Sequence, residues 1–93
     1  MKKNKALKAI EKEYPALTYP AGGLYPTGFE DAIIGVVERF GMEPVILLDK
    51  NKVLSILIKR DKMTWEEALE YYDFNIIGAW VGATTPCFAE IIK

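Results

Sequence analysis

Residues 29–49 read FEDAIIGVVERFGMEPVILLD, and how this stretch folds decides the architecture of the chain. Phe29, Ile33, Val36 and Phe40 fall at i, i+4, i+7 and i+11, the spacing of one helical stripe, and Gly41 stands where such a helix would stop. Yet Ile33-Ile34-Gly35-Val36-Val37 is β-branched apart from its glycine, and Val45–Leu48 has the continuous apolar character of a buried strand. Joined by a Gly-Met-Glu-Pro turn of about four or five residues, the two runs make a β-hairpin, the reading preferred over a helix. Gly35 then either weakens the first strand or marks a close approach of backbone.

Downstream, Asp49 is suited to cap a helix at about 50–60, with Val53, Ile56 and Leu57 inside and Lys50, Lys52, Lys59, Arg60 and Lys62 on its polar side. After the break Asp61-Lys62-Met63, Thr64-Trp65-Glu66-Glu67 forms a capping box, the threonine at the cap and a glutamate three residues on. The helix it opens should run to about Ile77. Ala68, Leu69, Tyr72 and Ile76 face inward; Glu66, Glu67, Glu70 and Asp73 face outward. Asn75 shares the stripe of Ala68, Tyr72 and Ala79, so its amide is expected to point inward and to need a partner. The tail Thr85–Ile92, with Phe88, Ile91 and Ile92, reads as a closing strand. The fold class is therefore α+β: a β-hairpin, a helical hairpin packed on one sheet face, and a C-terminal strand.

Upstream, residues 2–13 suit a short helix with Leu7, Ile10 and Tyr14 on one stripe and five lysines against two glutamates, a solvated arm. From Tyr14 to Gly28 the pairs Tyr14-Pro15, Tyr19-Pro20 and Tyr25-Pro26, with Gly22-Gly23, make irregular chain. Tyr14, Tyr19 and Tyr25 either cover the core or, exposed beside proline, contact a protein partner. With 93 residues the chain is one domain, residues 1–28 an arm and loop region and 29–93 a compact core.

Composition removes several functions. The absence of histidine takes away the usual general base and the commonest metal ligand, and a single cysteine excludes an internal disulfide and a thiolate zinc cage. No apolar run approaches the roughly 20 residues that cross a bilayer, and the lysine-rich start lacks a signal-peptide core, so a cytoplasmic location away from membranes is expected. Net charge is −1, and residues 64–77 carry four carboxylates and no Lys or Arg, so the helical hairpin cannot read DNA. Residues 49–62 hold five cations against two carboxylates, so the two helices are expected to attract each other.

The chemistry-bearing candidates are few. Cys87 has no base to activate it and reads as a buried, inert thiol. Asp31, Glu38, Asp49 and Asp73 have no metal-loop spacing, which leaves a metal-dependent hydrolase as the weakest reading. Gly78 and Gly82 follow a helix, whereas phosphate cradles precede one. Asn75, Trp80 and Thr85, an amide, a ring and a hydroxyl beside glycine-rich chain, are candidate ligand-binding residues for a nucleotide-like molecule; the same residues also serve as core and cap.

The run Glu66-Glu67-Ala68, Tyr72-Asp73-Phe74-Asn75-Ile76-Ile77-Gly78-Ala79-Trp80-Val81-Gly82 and Thr85-Pro86-Cys87-Phe88 resembles a group of small phage and prophage proteins sharing an EEA…YxFNxxGAxVGxxTPxF-like pattern. DAIIGVVERFG and the apolar run ending at Asp49 extend the resemblance over roughly residues 30–88. Where the group carries an acidic residue after the second glycine, this chain has Ala83. The resemblance implies a viral or prophage setting and expression in a host cytoplasm; it implies no activity and no catalytic residue. Taken together, a non-enzymatic accessory protein is expected, without cofactor or metal, that binds a host or phage protein such as a defence or regulatory factor. A small-ligand binding or sequestering protein is the alternative. The exposed edges of a small sheet favour a homo-oligomer.

Overall fold

A computed structural model describes residues 5–15, 28–78 and 85–92. Helix α1 (Lys5–Glu13) is followed, after residues outside this description, by a single 3-10 turn (Glu30–Ala32) that leads into strand β1 (Ile33–Arg39). Strand β2 (Met42–Asp49) returns antiparallel, pairing Ile33 with Leu48, Val36 with Ile46 and Arg39 with Met42. The hairpin is therefore formed, and the helical spacing of Phe29–Phe40 is not used. Its connection is tighter than the expected turn. Phe40 and Gly41 alone close it, because Gly41 adopts a left-handed backbone (φ 78°) that L residues rarely take. Met42, Glu43 and Pro44 then belong to β2 instead of the loop. An irregularity between the Val37–Val45 and Arg39–Met42 pairs gives β2 one extra residue, so Pro44, which has no N–H to donate, sits at a bulge. A second bulge falls between Ile33 and Gly35. Among the described residues, and its two chain neighbours apart, no atom lies within 4 Å of where a Gly35 Cβ would stand, so no close approach to them requires this glycine.

Asp49 ends β2 and caps α2 (Lys50–Asp61) at once: its carboxylate accepts from the backbone N–H groups of Asn51 (2.8 Å) and Lys52 (3.3 Å). Val53, Leu54 and Leu57 are fully buried, and Lys62, left-handed at φ 60°, stops the helix. Leu54 joins the inner stripe where Ile56, half-buried, was expected. Helix α3 (Trp65–Tyr71) starts at the capping box, in which the Thr64 hydroxyl accepts from the Glu67 N–H (3.1 Å) and the Thr64 N–H donates to the Glu67 carboxylate (2.8 Å). The two helices form the crossover that a parallel partner for β2 requires. That partner is β3 (Cys87–Ala89), so the sheet order is β1-β2-β3.

β3 is shorter than the closing strand expected over Thr85–Ile92. Its last pair is Asp49 with Ala89, and since Asp49 turns into α2 there is no further β2 backbone to pair with. Cys87 is half-buried on this strand, not fully buried as expected. The core lies between β1, β2 and the helices: Phe29, Ile33, Ile46, Leu48, Leu54, Leu57, Tyr72 and Ile76, with Leu7 and Ile10 of α1 closing one end. Burying side chains of this size stabilises by about 1.5–3 kcal/mol each before entropy is counted. α2 and α3 meet through apolar contact, and among the described residues no ion pair links them. The expected mutual attraction of the helices thus takes no ion-paired form among the described residues.

Candidate protein-binding surface

The expectation that one α-helix runs to Ile77 fails at Tyr72. There the helix widens into a π-turn (Tyr72–Ile76), in which the Ile77 N–H donates to the Tyr72 carbonyl five residues back (2.8 Å). Tyr72 and Ile76 are both buried. Asn75, predicted to point inward on α-helical spacing, is rotated to the surface and is exposed. So is Phe74, at 78%, with Ile77 after it at 49%.

Phe74 and Asn75 line a depression of about 410 Å3 together with Met63, Glu67, Glu70 and Tyr71. Its lining joins Met63 and two aromatic rings to two carboxylates and an amide, and includes no cation. Positions 67, 70 and 74 fall at i, i+3 and i+7, so a phenylalanine standing on the acidic stripe of α3 was a signal the sequence held.

A second concavity, about 430 Å3, is lined by Asp31 of the 3-10 turn and by Lys52, Ser55, Ile56, Lys59 and Arg60 of α2. Here three cations stand against one carboxylate over a largely apolar floor. Arg60 is fixed by its surroundings. Its guanidinium donates twice to Asp61 (both 3.1 Å), lies 5.0 Å over the Phe29 ring, and reaches the Gly28 carbonyl (3.4 Å). A Cβ on Gly28 would collide with that guanidinium. The Asp61 hydrogen bonds raise the Arg60 pKa and hold the Asp61 carboxyl below its usual range. Lys52 and Lys59 are exposed and stand in no ion pair among the described residues.

Behind these surfaces Tyr72 ties the π-turn to the sheet. Its ring meets Phe88 edge-on (centroids 5.5 Å apart, 89°) and lies under Lys50 Nζ (5.2 Å), which pairs with Glu90 (3.5 Å). Burial, aided by the negative charges of Asp73 and Glu90, pushes the Tyr72 hydroxyl up to about 12.

Of the residues singled out as partner contacts, Tyr14 is half-buried and donates from its hydroxyl to Glu38 Oε1 (3.4 Å); the Glu38 charge, with lesser help from burial, raises its pKa. It borders a groove of about 280 Å3 between α1 and β1, lined by Ala6, Ala9, Ile34 and Gly35 among others. Tyr19, Tyr25 and Trp80 lie outside the described residues. Thr85 is half-buried just before β3 and does not line the depression that Asn75 lines. Asp49 is engaged as a cap, and among the described residues no three acidic or cysteine side chains gather where a metal ion could be held. No helix among them is long and apolar enough to cross a membrane. Against known protein families, curated proteins and solved structures, the chain has no match.

Proposed function

We propose that this chain is a non-enzymatic accessory protein that binds a protein partner through the face built by the π-turn. The observation that carries the proposal is Phe74: a phenylalanine 78% exposed, with the half-exposed Ile77 three residues on, set in a depression rimmed by Glu67 and Glu70. Scattered apolar side chains at a surface need no explanation, but a ring grouped with another apolar side chain and ringed by one sign of charge has the composition of an interface centre with a polar rim. The partner it suits is a protein segment presenting an apolar socket flanked by lysine or arginine. The phage-like run over 66–88, which includes Phe74, supports a phage or prophage setting in which the partner is a host or phage protein such as a defence or regulatory factor.

The test is affinity capture from host lysate by the wild-type chain, Phe74→Ala and Glu70→Lys, quantified by mass spectrometry. A partner enriched on the wild type and depleted on the order of tenfold by Phe74→Ala, the effect of about 1.4 kcal/mol, supports the reading. A captured set indifferent to both substitutions overturns it. Both side chains are exposed, so neither change should lower the melting temperature.

A further inference from the structure

The cationic α2 concavity and the acidic Phe74 depression are complementary to one another, and both belong to the same chain. They match in the terms an interface needs. One has an exposed ring and two carboxylates, the other an apolar floor beside Lys52 and Lys59. The α2 and α3 charges do not pair with each other within the molecule. Arg60 and Met63, three residues apart, line the one and the other, and Arg60 is close enough to Tyr71 of the acidic depression for the two to interact electrostatically. The two patches therefore adjoin where α2 gives way to α3.

We propose that a second copy of this chain docks across the two adjoining patches, the Phe74 side of α3 in each copy meeting the Lys52 and Lys59 side of α2 in the other. Because the patches adjoin, a two-fold axis forms both contacts at once, and the assembly closes as a dimer instead of growing as a filament. Phe74 and Ile56 supply the dry centre; Glu67 and Glu70 against Lys52 and Lys59 supply the rim. Rim charges of this kind set orientation and association rate and weaken with salt. The inference rests on the reading of the Phe74 face as a protein-binding surface and names a second occupant, which competes there with the host or phage partner.

Sedimentation velocity on the full chain over a range of concentrations tests it. The expected result is a reversible monomer–dimer equilibrium that shifts toward monomer as salt rises, and toward monomer on the order of tenfold with Phe74→Ala. Two charge-reversed variants carry the decisive arm. Lys52→Glu/Lys59→Glu makes both patches acidic, and Glu70→Lys/Asn75→Lys makes both basic, so each alone should be monomeric. Mixed in equal amounts they should form a one-to-one heterodimer in which both contacts are restored. All four positions are exposed, and Lys52→Gln/Lys59→Gln, which removes charge without reversing it, should weaken the dimer to a lesser degree. A wild type that is monomeric at every concentration, a dimer indifferent to both reversals, or a mixture that stays monomeric overturns the proposal. If the wild type is monomeric and Phe74-dependent capture of another protein persists, the self-association falls and the protein-binding reading stands. If neither dimer nor capture depends on Phe74, both fall.

Discussion

α2 and α3 follow one another, each begin with a side-chain cap, and end differently. Asp49 satisfies two N–H groups at the start of α2, and Thr64 with Glu67 satisfies the start of α3. α2 keeps its pitch for twelve residues and stops where Lys62 turns left-handed. α3 keeps it for seven and then widens over Tyr72–Ile76. The regular helix buries its apolar side chains and shows the solvent lysines. The widened one buries Tyr72 and Ile76 but presents Phe74 to solvent. Caps govern where a helix begins, and here the change of pitch after Tyr71 turns Asn75 out beside Phe74, which stands on the exposed acidic stripe of α3.

The largest effects should come from the side chains that hold each helix to the core. Leu57→Ala in α2 and Ile76→Ala in the π-turn each remove a buried side chain and should cost roughly 2–5 kcal/mol, read from urea denaturation. Asn75→Ala, one position before Ile76, should cost no more than about 0.5 kcal/mol, since its side chain is exposed. A costly Asn75→Ala would restore the α-helical pitch, in which the Asn75 amide points inward, and undo the distinction between the two helices.

Next come the caps. Asp49→Ala and Thr64→Ala should each destabilise by about 1 kcal/mol in the same assay, alike although one helix is regular and the other is not. If Thr64→Ala also alters the exposure of Phe74, seen as a change in near-ultraviolet circular dichroism, then the widening depends on the cap and not on the packing of Tyr72 and Ile76.

The hydroxyl of Tyr72 gives a pH test of the same turn. Its pKa rises from 10.0 to about 12 on folding because burial disfavours the phenolate. The neutral form is thus the one the fold favours. Its contribution is fully present below about pH 10 and is lost as pH rises from 10 through 12. Tyr72→Phe should flatten the fall in stability over that interval; a fall as steep as in the wild type would mean that Tyr72 ionises as freely in the folded chain as in the unfolded one. The smallest effect is expected at Glu90→Gln, where loss of the exposed pair with Lys50 should change stability by about 0–1 kcal/mol, less in high salt.

Much of the fold was legible in the residues. The β-branched run at 33–37 and the apolar run at 45–48 marked the hairpin, and Asp49 and the Thr64–Glu67 box marked both helix starts, because strand preference and capping are local properties. The short turn at Phe40-Gly41 was hidden by Pro44, which reads as loop unless a bulge excuses its missing N–H. The brevity of β3 was hidden because it is set by where β2 ends, a non-local fact. The candidate site was obscured for a similar reason. Periodicity of 3.6 placed Asn75 inward, whereas the π-turn over Tyr72–Ile76 exposes Asn75 beside Phe74.

The central claim is that Phe74 stands at the centre of a protein-binding face, and a photo-crosslinker at position 74, activated in cells expressing the full chain, tests it most directly. Protein-sized adducts from position 74, and few from position 66 on the same helical segment, are the predicted result. No adduct from position 74, or equal labelling from both positions, would contradict it.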